Sequence, residues 1–475
     1  MPDDVRILRL GDMLFRRKGS FAGRVVHAVI SIALRLFFRR IETSRASLVP
    51  ETGALVFVLN HPNGLIDPAL VFCALPRRIS FLAKSTLFRL PVIGSMIRAL
   101  ETLPLYRRVD EGEDVTRNRL TFEACHELLR RGRCIALFPE GLSHSAPHLL
   151  PVKTGAARIA LGAISVGAGV EDTARPLDLK IVPVGLYYTS KTSFRSEALL
   201  RFGAPIEVSP VTLDEQNEPP RDEVKQLSAR IEAALREVTL NVETEEQLEV
   251  ATKAEKLFSS IYEGINIEGT LAGRLDFLRR FVAGRGAEET TRAPERIVQL
   301  RERILRYEAE LRRAGIRPEN LSLSRHSRWY VFRHFLLRVA VLLSLFPLAF
   351  VGAVLHLPAY LLCTLFARLY PTHGVDDIVS TVKILLAILL MPLTWLVVTG
   401  LTFFFWGWRV GLLAFPLVIL CGYVAMRSLE EIYDMRGWYK AVRLLLRRRH
   451  LFLRLLWERR ALHNVIRQLE GNAGD

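Results

Sequence analysis

The spacing of apolar positions changes character repeatedly along the chain. Between residues 45 and 240, apolar runs of strand length recur at Ala54–Leu59, Ile79–Ala83, Thr102–Tyr106, Cys134–Phe138, Ile181–Tyr188 and Leu199–Phe202. Helical spacing intervenes over Arg117–Arg131 and Gly155–Val166. It resumes over Arg221–Leu240, after the polar, Pro-containing loop Thr212–Pro220. Strands alternating with helices predict an α/β unit, a mixed sheet flanked by helices.

Residues 241–328 are charged and helical in pattern, with Ile297, Leu300, Ile304, Tyr307 and Leu311 on one face. They predict a helical connector whose most linker-like stretch is Gly284–Arg292. Residues 329–426 are strongly apolar, with candidate spans at Leu336–Leu355, Pro358–Leu369, Val382–Leu401 and Val410–Met426. The second is too short to cross ~30 Å of hydrocarbon. It reads as half of a re-entrant hairpin with the first, turned near His356–Pro358. Trp395, Trp406 and Trp408 are candidate interface anchors. Residues 427–475 form a basic amphipathic tail in which Arg443, Arg447–Arg449 and Arg454 interleave with leucines. Such a helix either lies on an anionic leaflet or packs on a soluble unit.

At the other end, residues 1–44 carry the apolar run Val25–Phe38, with Arg16, Arg17, Lys18 and Arg24 before it and Arg39 and Arg40 after. The run is short for a span and lacks a small-x-small cleavage site. His27, Ser31 and Arg35 mark one polar stripe, which predicts an amphipathic helix in the membrane interface or, alternatively, one packed on the core.

Composition sharpens this picture. Of 475 residues, 50% are hydrophobic and 24% charged, which suits a water-soluble part joined to a lipid-soluble one. The net charge of +16 asks for a polyanionic partner. Arg clusters beside apolar segments favour anionic membrane lipids. No nucleic-acid reader motif accompanies the charge, so nucleic acid is not expected as a partner. The five cysteines, Cys73, Cys125, Cys134, Cys363 and Cys421, form no C-x-x-C pair. A disulfide framework or structural zinc site is not expected, and a reduced cytosolic face fits.

Candidate chemistry gathers at strand exits. Asn60-His61-Pro62-Asn63-Gly64-Leu65-Ile66-Asp67 follows the first run. A His can take a proton from a hydroxyl at neutral pH, and an Asp can hold its other ring nitrogen. Gly64 lets the loop turn Asp67 back toward His61. Leu103-Pro104-Leu105-Tyr106-Arg107-Arg108 ends in adjacent arginines suited to clamping a phosphate. Lys84 and Lys153 are candidates to add charge there. Phe138-Pro139-Glu140-Gly141-Leu142-Ser143-His144 follows another strand and is placed to bind acceptor hydroxyls or shape the site. Ile181-Val182-Pro183-Val184-Gly185-Leu186-Tyr187-Tyr188 reads as a buried strand and a wall of the site, with Pro183 suggesting an edge or bulge.

In order and spacing these blocks resemble the glycerol-phosphate acyltransferase superfamily, the PlsC-like fold, over roughly residues 50–210. The resemblance implies His61 as general base and Asp67 as its partner. It implies Arg107 as a phosphate ligand and Glu140 with Gly141 as an acceptor-binding element; Asn60, Asn63, Lys84, Ser143 and Lys153 complete the expected substrate-binding set. The donor would be acyl-CoA or acyl-carrier protein (acyl-ACP), with no cofactor and no metal. The acceptor would be glycerol-3-phosphate, lysophosphatidate or dihydroxyacetone phosphate. Two departures stand out. Five residues, Pro62 to Ile66, separate His61 from Asp67 where the family usually has four. Glu140-Gly141 continues Leu-Ser-His where lysophosphatidate enzymes continue Thr-Arg-Ser. Both look like the fungal-type glycerol-3-phosphate/dihydroxyacetone-phosphate branch. The expectation is a membrane enzyme with its catalytic domain on the cytoplasmic face. Competing readings are a lipid-remodelling transacylase or hydrolase, and a scaffold with a degenerate acyltransferase unit.

Overall fold

The computed structural model describes residues 4–14, 21–75, 77–89, 94–95, 97–98, 101–107, 114–165, 177–262, 270–288, 294–316, 328–369 and 377–471. The chain divides into two compact units. The first comprises residues 1–241 with 370–384, the second residues 242–369 with 385–475.

The first unit is built on strands β1 (Val5–Ile7), β2 (Phe38–Ser44), β3 (Ala54–Leu59), β4 (Ile79–Lys84), β5 (Leu103–Leu105), β6 (Cys134–Leu137), β7 (Leu179–Tyr188), β8 (Ser196–Phe202) and β9 (Ile206–Glu207). They form one sheet in the order β1-β2-β8-β7-β3-β6-β4-β5, with β9 on β7. β7, β3, β6, β4 and β5 run parallel, whereas β8 is antiparallel to β7. β3 is fully buried, as a near-continuous apolar run in a parallel sheet must be. Leu55, Phe57 and Leu59 face one core, with α2 (Phe21–Phe37, after the short α1, Leu10–Leu14) and α3 (Ile66–Ala74). Ala54, Val56 and Val58 face the other, with α4 (Asn118–Arg130), α5 (Gly155–Ser165) and α6 (Arg221–Val238). The mixed, helix-flanked sheet expected from the apolar runs is therefore present.

Three expectations for this unit change. No boundary falls at residue 44, because β2 pairs in parallel with β8 inside the sheet. Arg39 and Arg40 are accordingly not a membrane-surface cluster: Arg40 is buried against Glu42, and Arg39 pairs with Glu197 at 2.9 Å. Charged residues hid this strand. Helix α2 is amphipathic, but its polar stripe is turned inward. His27 and Ser31 are buried, His27 edge-on to Phe72 at 5.3 Å and Ser31 donating to Cys73 Sγ at 3.3 Å. Val25, Val29, Ile32 and Leu36 are the exposed face. Pro183 lies inside a central strand, not at an edge; the β7–β8 ladder begins beyond it, at Val184–Phe202.

The second unit is helical: α7 (Glu245–Tyr262), α8 (Leu271–Glu288), α9 (Pro294–Ala314), α10 (Arg328–Leu369), α11 (Asp377–Trp406, from Leu385 onward), α12 (Trp408–Arg447) and α13 (Arg449–Gly471). The face expected on α9 is the buried one, through Leu300, Ile304, Tyr307 and Leu311; the Ile297 side chain lies outside the described residues. The stretch expected as a linker is helical through Glu288, and residues 289–292 lie outside the described residues. The tail is not a leaflet-bound element of its own. α12 runs unbroken past residue 427, and α13 packs on α7, α8 and α9 with Phe452, Leu455 and Leu462 buried. Arg303–Glu458 at 2.8 Å and Arg454–Glu310 at 2.9 Å tie it to α9.

The hairpin expected near His356–Pro358 does not form. α10 continues through Pro347 and Pro358. A missing N–H is tolerated in an apolar helix when neighbouring helices re-satisfy the backbone. Among the described residues, three helical segments are long and apolar enough to cross a membrane, Leu336–Phe366, Val382–Trp406 and Trp408–Tyr433, where the sequence showed four apolar runs. Trp395 donates its indole N–H to His356 Nε2 at 3.0 Å, so it packs against α10.

Candidate active site

Parallel strands β7, β3, β6, β4 and β5 all end on one side of the sheet. Crevices outside the carboxyl ends of such strands are where ligands bind in open α/β sheets. The blocks at Asn60–Asp67, Arg107 and Phe138–His144 continue β3, β5 and β6, so the topology gathers them along one edge.

β3 stops at Leu59, and Asn60 extends its pairing by side chain. The Asn60 amide donates to Leu186 O at 3.1 Å and accepts from Leu186 N at 2.7 Å. Asn60 was expected to bind substrate. Its donor and acceptor are instead spent on holding the strand exit to β7.

His61 is fixed from several directions. Its backbone N–H donates to Glu140 Oε1 at 2.9 Å, and its carbonyl accepts from His144 N at 3.1 Å. Its ring stacks on Phe138, with centroids 3.9 Å apart and planes 15° from parallel. Nδ1 lies 2.8 Å from Asp67 Oδ2. Gly64 adopts φ +43° and Ile66 N closes a turn on Asn63 O at 3.0 Å, so the longer His-to-Asp spacing still brings the pair together.

Asp67 sits in the first turn of α3, where the helix dipole favours a carboxylate. It is wholly buried and takes two further hydrogen bonds, from Asn63 N at 2.7 Å and Tyr188 OH at 2.6 Å. Burial, and then the Asp67 charge and hydrogen bond, hold the Tyr188 hydroxyl well above the usual tyrosine range, so it remains a donor. With donors converging on Asp67, the Nδ1 proton of His61 points at the carboxylate and Nε2 carries the lone pair. Among the described residues Nε2 has no hydrogen-bond partner, and the side chain is 18% exposed. The ring is oriented, backed by an anion and open at one nitrogen, as a general base requires.

The buried Glu140 carboxylate is occupied within the protein. It accepts from His61 N, from Leu150 N at 2.9 Å and from the His144 ring. It braces the loop that carries the base. At Gly141, φ +75°, an added Cβ would meet the end of the Lys153 side chain. Arg107 donates to Gly141 O at 2.8 Å, so Arg107 and Lys153 meet at this glycine. Ser143 is half-buried in the same loop. Lys84 ends β4 in register with Leu105, two residues before Arg107. Arg108 lies outside the described residues. Asn63 contributes its backbone to Asp67, while its side-chain amide reaches Lys191 O at 3.4 Å.

Tyr188, Phe138, His144 and Lys191 were not singled out from sequence. Phe138, His144 and Tyr188 lay inside recognised blocks, without a role of their own. Tyr188 was legible only as the end of a buried strand, since its partner is 121 residues away.

Comparisons with known proteins find matches to both the sheet-containing and the helical part of the chain. Residues 40–187 match the Acyltransferase family. Residues 257–471 match the glycerol-3-phosphate acyltransferase 2 C-terminal domain, which joins the connector, the apolar helices and the tail into one module. Glycerol-3-phosphate O-acyltransferase 2 of Saccharomyces cerevisiae is 27% identical over 58% of this chain and 37% of its own. Glycerol-3-phosphate O-acyltransferase 1 of the same yeast is 28% identical over 66% and 39%. An uncharacterized acyltransferase of Schizosaccharomyces pombe is 25% identical over 77% and 66%. The chain thus spans between about two fifths and two thirds of the length of these relatives. The 1-acyl-sn-glycerophosphate acyltransferase PlsC of Thermotoga maritima aligns over 48% of this chain and 86% of its own at 18% identity, with a TM-score of 0.32. The chain thus joins an Acyltransferase-family unit, residues 40–187, to a glycerol-3-phosphate acyltransferase 2 C-terminal domain, residues 257–471.

Proposed function

We propose that this chain moves a fatty acyl group from acyl-CoA or acyl-ACP to a hydroxyl of glycerol-3-phosphate or a related glycerol phosphate, in phospholipid synthesis at a membrane. The observation that carries the reading is the His61–Asp67 pair at 2.8 Å, with Nε2 unspent and Arg107 and Lys153 held at the adjoining loop. Nε2 takes the proton of the acceptor hydroxyl as its oxygen attacks the thioester carbonyl. The C–S bond then breaks, and the departing thiolate recovers the proton from the imidazolium. Asp67 stabilises that imidazolium throughout. No acyl-enzyme is needed, and no Ser elbow of the G-x-S-x-G kind lies beside His61. Arg107 and Lys153 position the phosphate, which converts binding into proximity.

The exposed Val25, Val29, Ile32 and Leu36 stripe of α2 suits a lipid interface, with anionic lipids matching the positive charge. Lys383, which belongs to the first unit and opens the apolar segment Val382–Trp406, favours the cytoplasmic face for the catalytic unit.

The test is purified protein with labelled acyl-CoA and, in parallel, glycerol-3-phosphate, dihydroxyacetone phosphate and lysophosphatidate. Transfer to at least one is expected, and His61→Ala is expected to lower it by about 10²–10⁴-fold while the protein still folds. Release of free fatty acid without acceptor, or a fully active His61→Ala enzyme, would sink the reading.

A further inference from the structure

Cations from separate parts of the fold meet the loop Gly141-Leu142-Ser143-His144. Arg107, beyond β5, donates to the Gly141 carbonyl at 2.8 Å, and the Lys153 amine, ahead of α5, lies against the same glycine. Lys191, in the turn between β7 and β8, donates from Nζ to the His144 carbonyl at 3.1 Å. β6 and β7 flank β3 on its two sides, so these cations bracket the strand that delivers His61. His144 N is itself bonded to His61 O at 3.1 Å, which places the Lys191 ammonium one residue from the catalytic backbone.

The segment that carries Lys191 is tied down along its length. Ser193 N donates to Ser190 Oγ at 3.2 Å, closing a tight turn around Lys191. Asn63 Nδ2 reaches the Lys191 carbonyl, and Lys383 Nζ donates to Thr192 O at 3.1 Å. Arg195, at φ +64°, donates its N–H to Phe37 O at 2.6 Å. A lysine stem rooted in a braced turn loses less entropy on meeting a ligand than one on a free loop. Both residues that hold Lys191 also carry a buried polar atom without a partner among the described residues, Asn63 Oδ1 and His144 Nδ1. Unmet hydrogen-bonding capacity on the two residues bonded to Lys191, one at its carbonyl and one at its ammonium, gives this turn a polar neighbourhood suited to a polar guest.

Resting on the proposed function, we infer that Lys191 belongs to the acceptor's phosphate site, supplying from the β7–β8 turn the charge that the Leu-Ser-His continuation of the Glu140-Gly141 block does not. A phosphate monoester carries nearly two negative charges at neutral pH. An ammonium offers three donors and a compact charge, suited to a phosphate whose orientation the forked Arg107 guanidinium sets. The ligand class is a phosphate monoester of a small polyol, and Lys191 selects for the phosphate rather than for the acyl donor.

The experiment uses the full chain in detergent or nanodiscs. Glycerol-3-phosphate is titrated calorimetrically in the absence of donor, and steady-state kinetics are measured with acyl-CoA. Lys191→Met keeps the aliphatic stem, and Lys191→Arg keeps the charge. Lys191→Met is expected to weaken glycerol-3-phosphate binding and raise its KM by about tenfold or more, with the KM for acyl-CoA within about twofold of wild type. Lys191→Arg is expected to recover most of the loss. An unchanged glycerol-3-phosphate affinity in Lys191→Met, or an equal loss for donor and acceptor, would remove Lys191 from the phosphate site while leaving the proposed function standing. A wild-type protein that neither binds nor acylates any phosphorylated acceptor would instead overturn the function itself.

Discussion

Asp67 is a buried carboxylate whose hydrogen bonds come from two segments: the His61 ring and Asn63 backbone in its own loop, and the Tyr188 hydroxyl at the end of β7. A buried charge is tolerable when its oxygens are satisfied, and costly when one is not. Tyr188→Phe removes the partner of Oδ1 without changing shape. The expected result is a loss of about 1–3 kcal/mol in folding stability or in turnover, seen as roughly a tenfold fall in kcat with little change in either KM. An unaltered kcat and melting temperature would show that Tyr188 does not steady the pair. The His–Asp pairing was legible from residue type and spacing, because both members lie in one short loop. The tyrosine was not, because only the neighbouring of β3 and β7 brings it there. The occupied side chains of Asn60 and Glu140 have the same origin. Polar residues at strand exits announce a site, but the sequence does not say which of them the backbone itself will consume.

Among the elements, apolar runs located strands well wherever both faces are covered. β3 was read to the residue, and β4, β6 and β7 to within one or two. β2 escaped because its Arg-Arg-Ile-Glu-Thr-Ser composition is buried through ion pairs rather than apolarity. Helix α2 showed its amphipathic period but not its facing, since a small polar stripe can be satisfied inside by partners such as Cys73. In the apolar region, proline was read as a break, yet α10 passes through both of its prolines. What organises α10 is a close crossing: a Cβ added at Gly352 would run into the Cys421 carbonyl of α12. Gly352→Leu is therefore expected to force the two helices apart and to cost on the order of 1–3 kcal/mol, lowering the melting temperature in detergent. Gly400→Leu, on α11 with open space around it, serves as the neutral control. Equal melting temperatures for the two variants would argue against the crossing.

At the scale of the whole molecule, alkali should loosen the catalytic unit before it denatures by other routes. Burial pushes the Cys125 thiol up to about 12 from an ordinary 9.0, and raises Cys134 and Tyr188 as well. These groups stay protonated in the fold while their unfolded counterparts ionise. Their contribution is thus fully present below about pH 9 and is lost as pH rises toward 12. The melting temperature is expected to decline above pH 9, with a shallower slope in Cys125→Ala; a flat profile would contradict the buried, neutral thiol. The sequence by itself determined the alternation of strands and helices, the apolar helices and the blocks that carry the chemistry, because each is a local pattern of residue type and period. Only the tertiary structure decided which polar residues are consumed by the backbone, which face of α2 looks outward, that the tail packs on the connector, and that Tyr188 and Lys191 stand beside the His61 loop. Those outcomes depend on which distant segments become neighbours, and such pairing is written in the packing of the whole chain rather than in any one stretch of it.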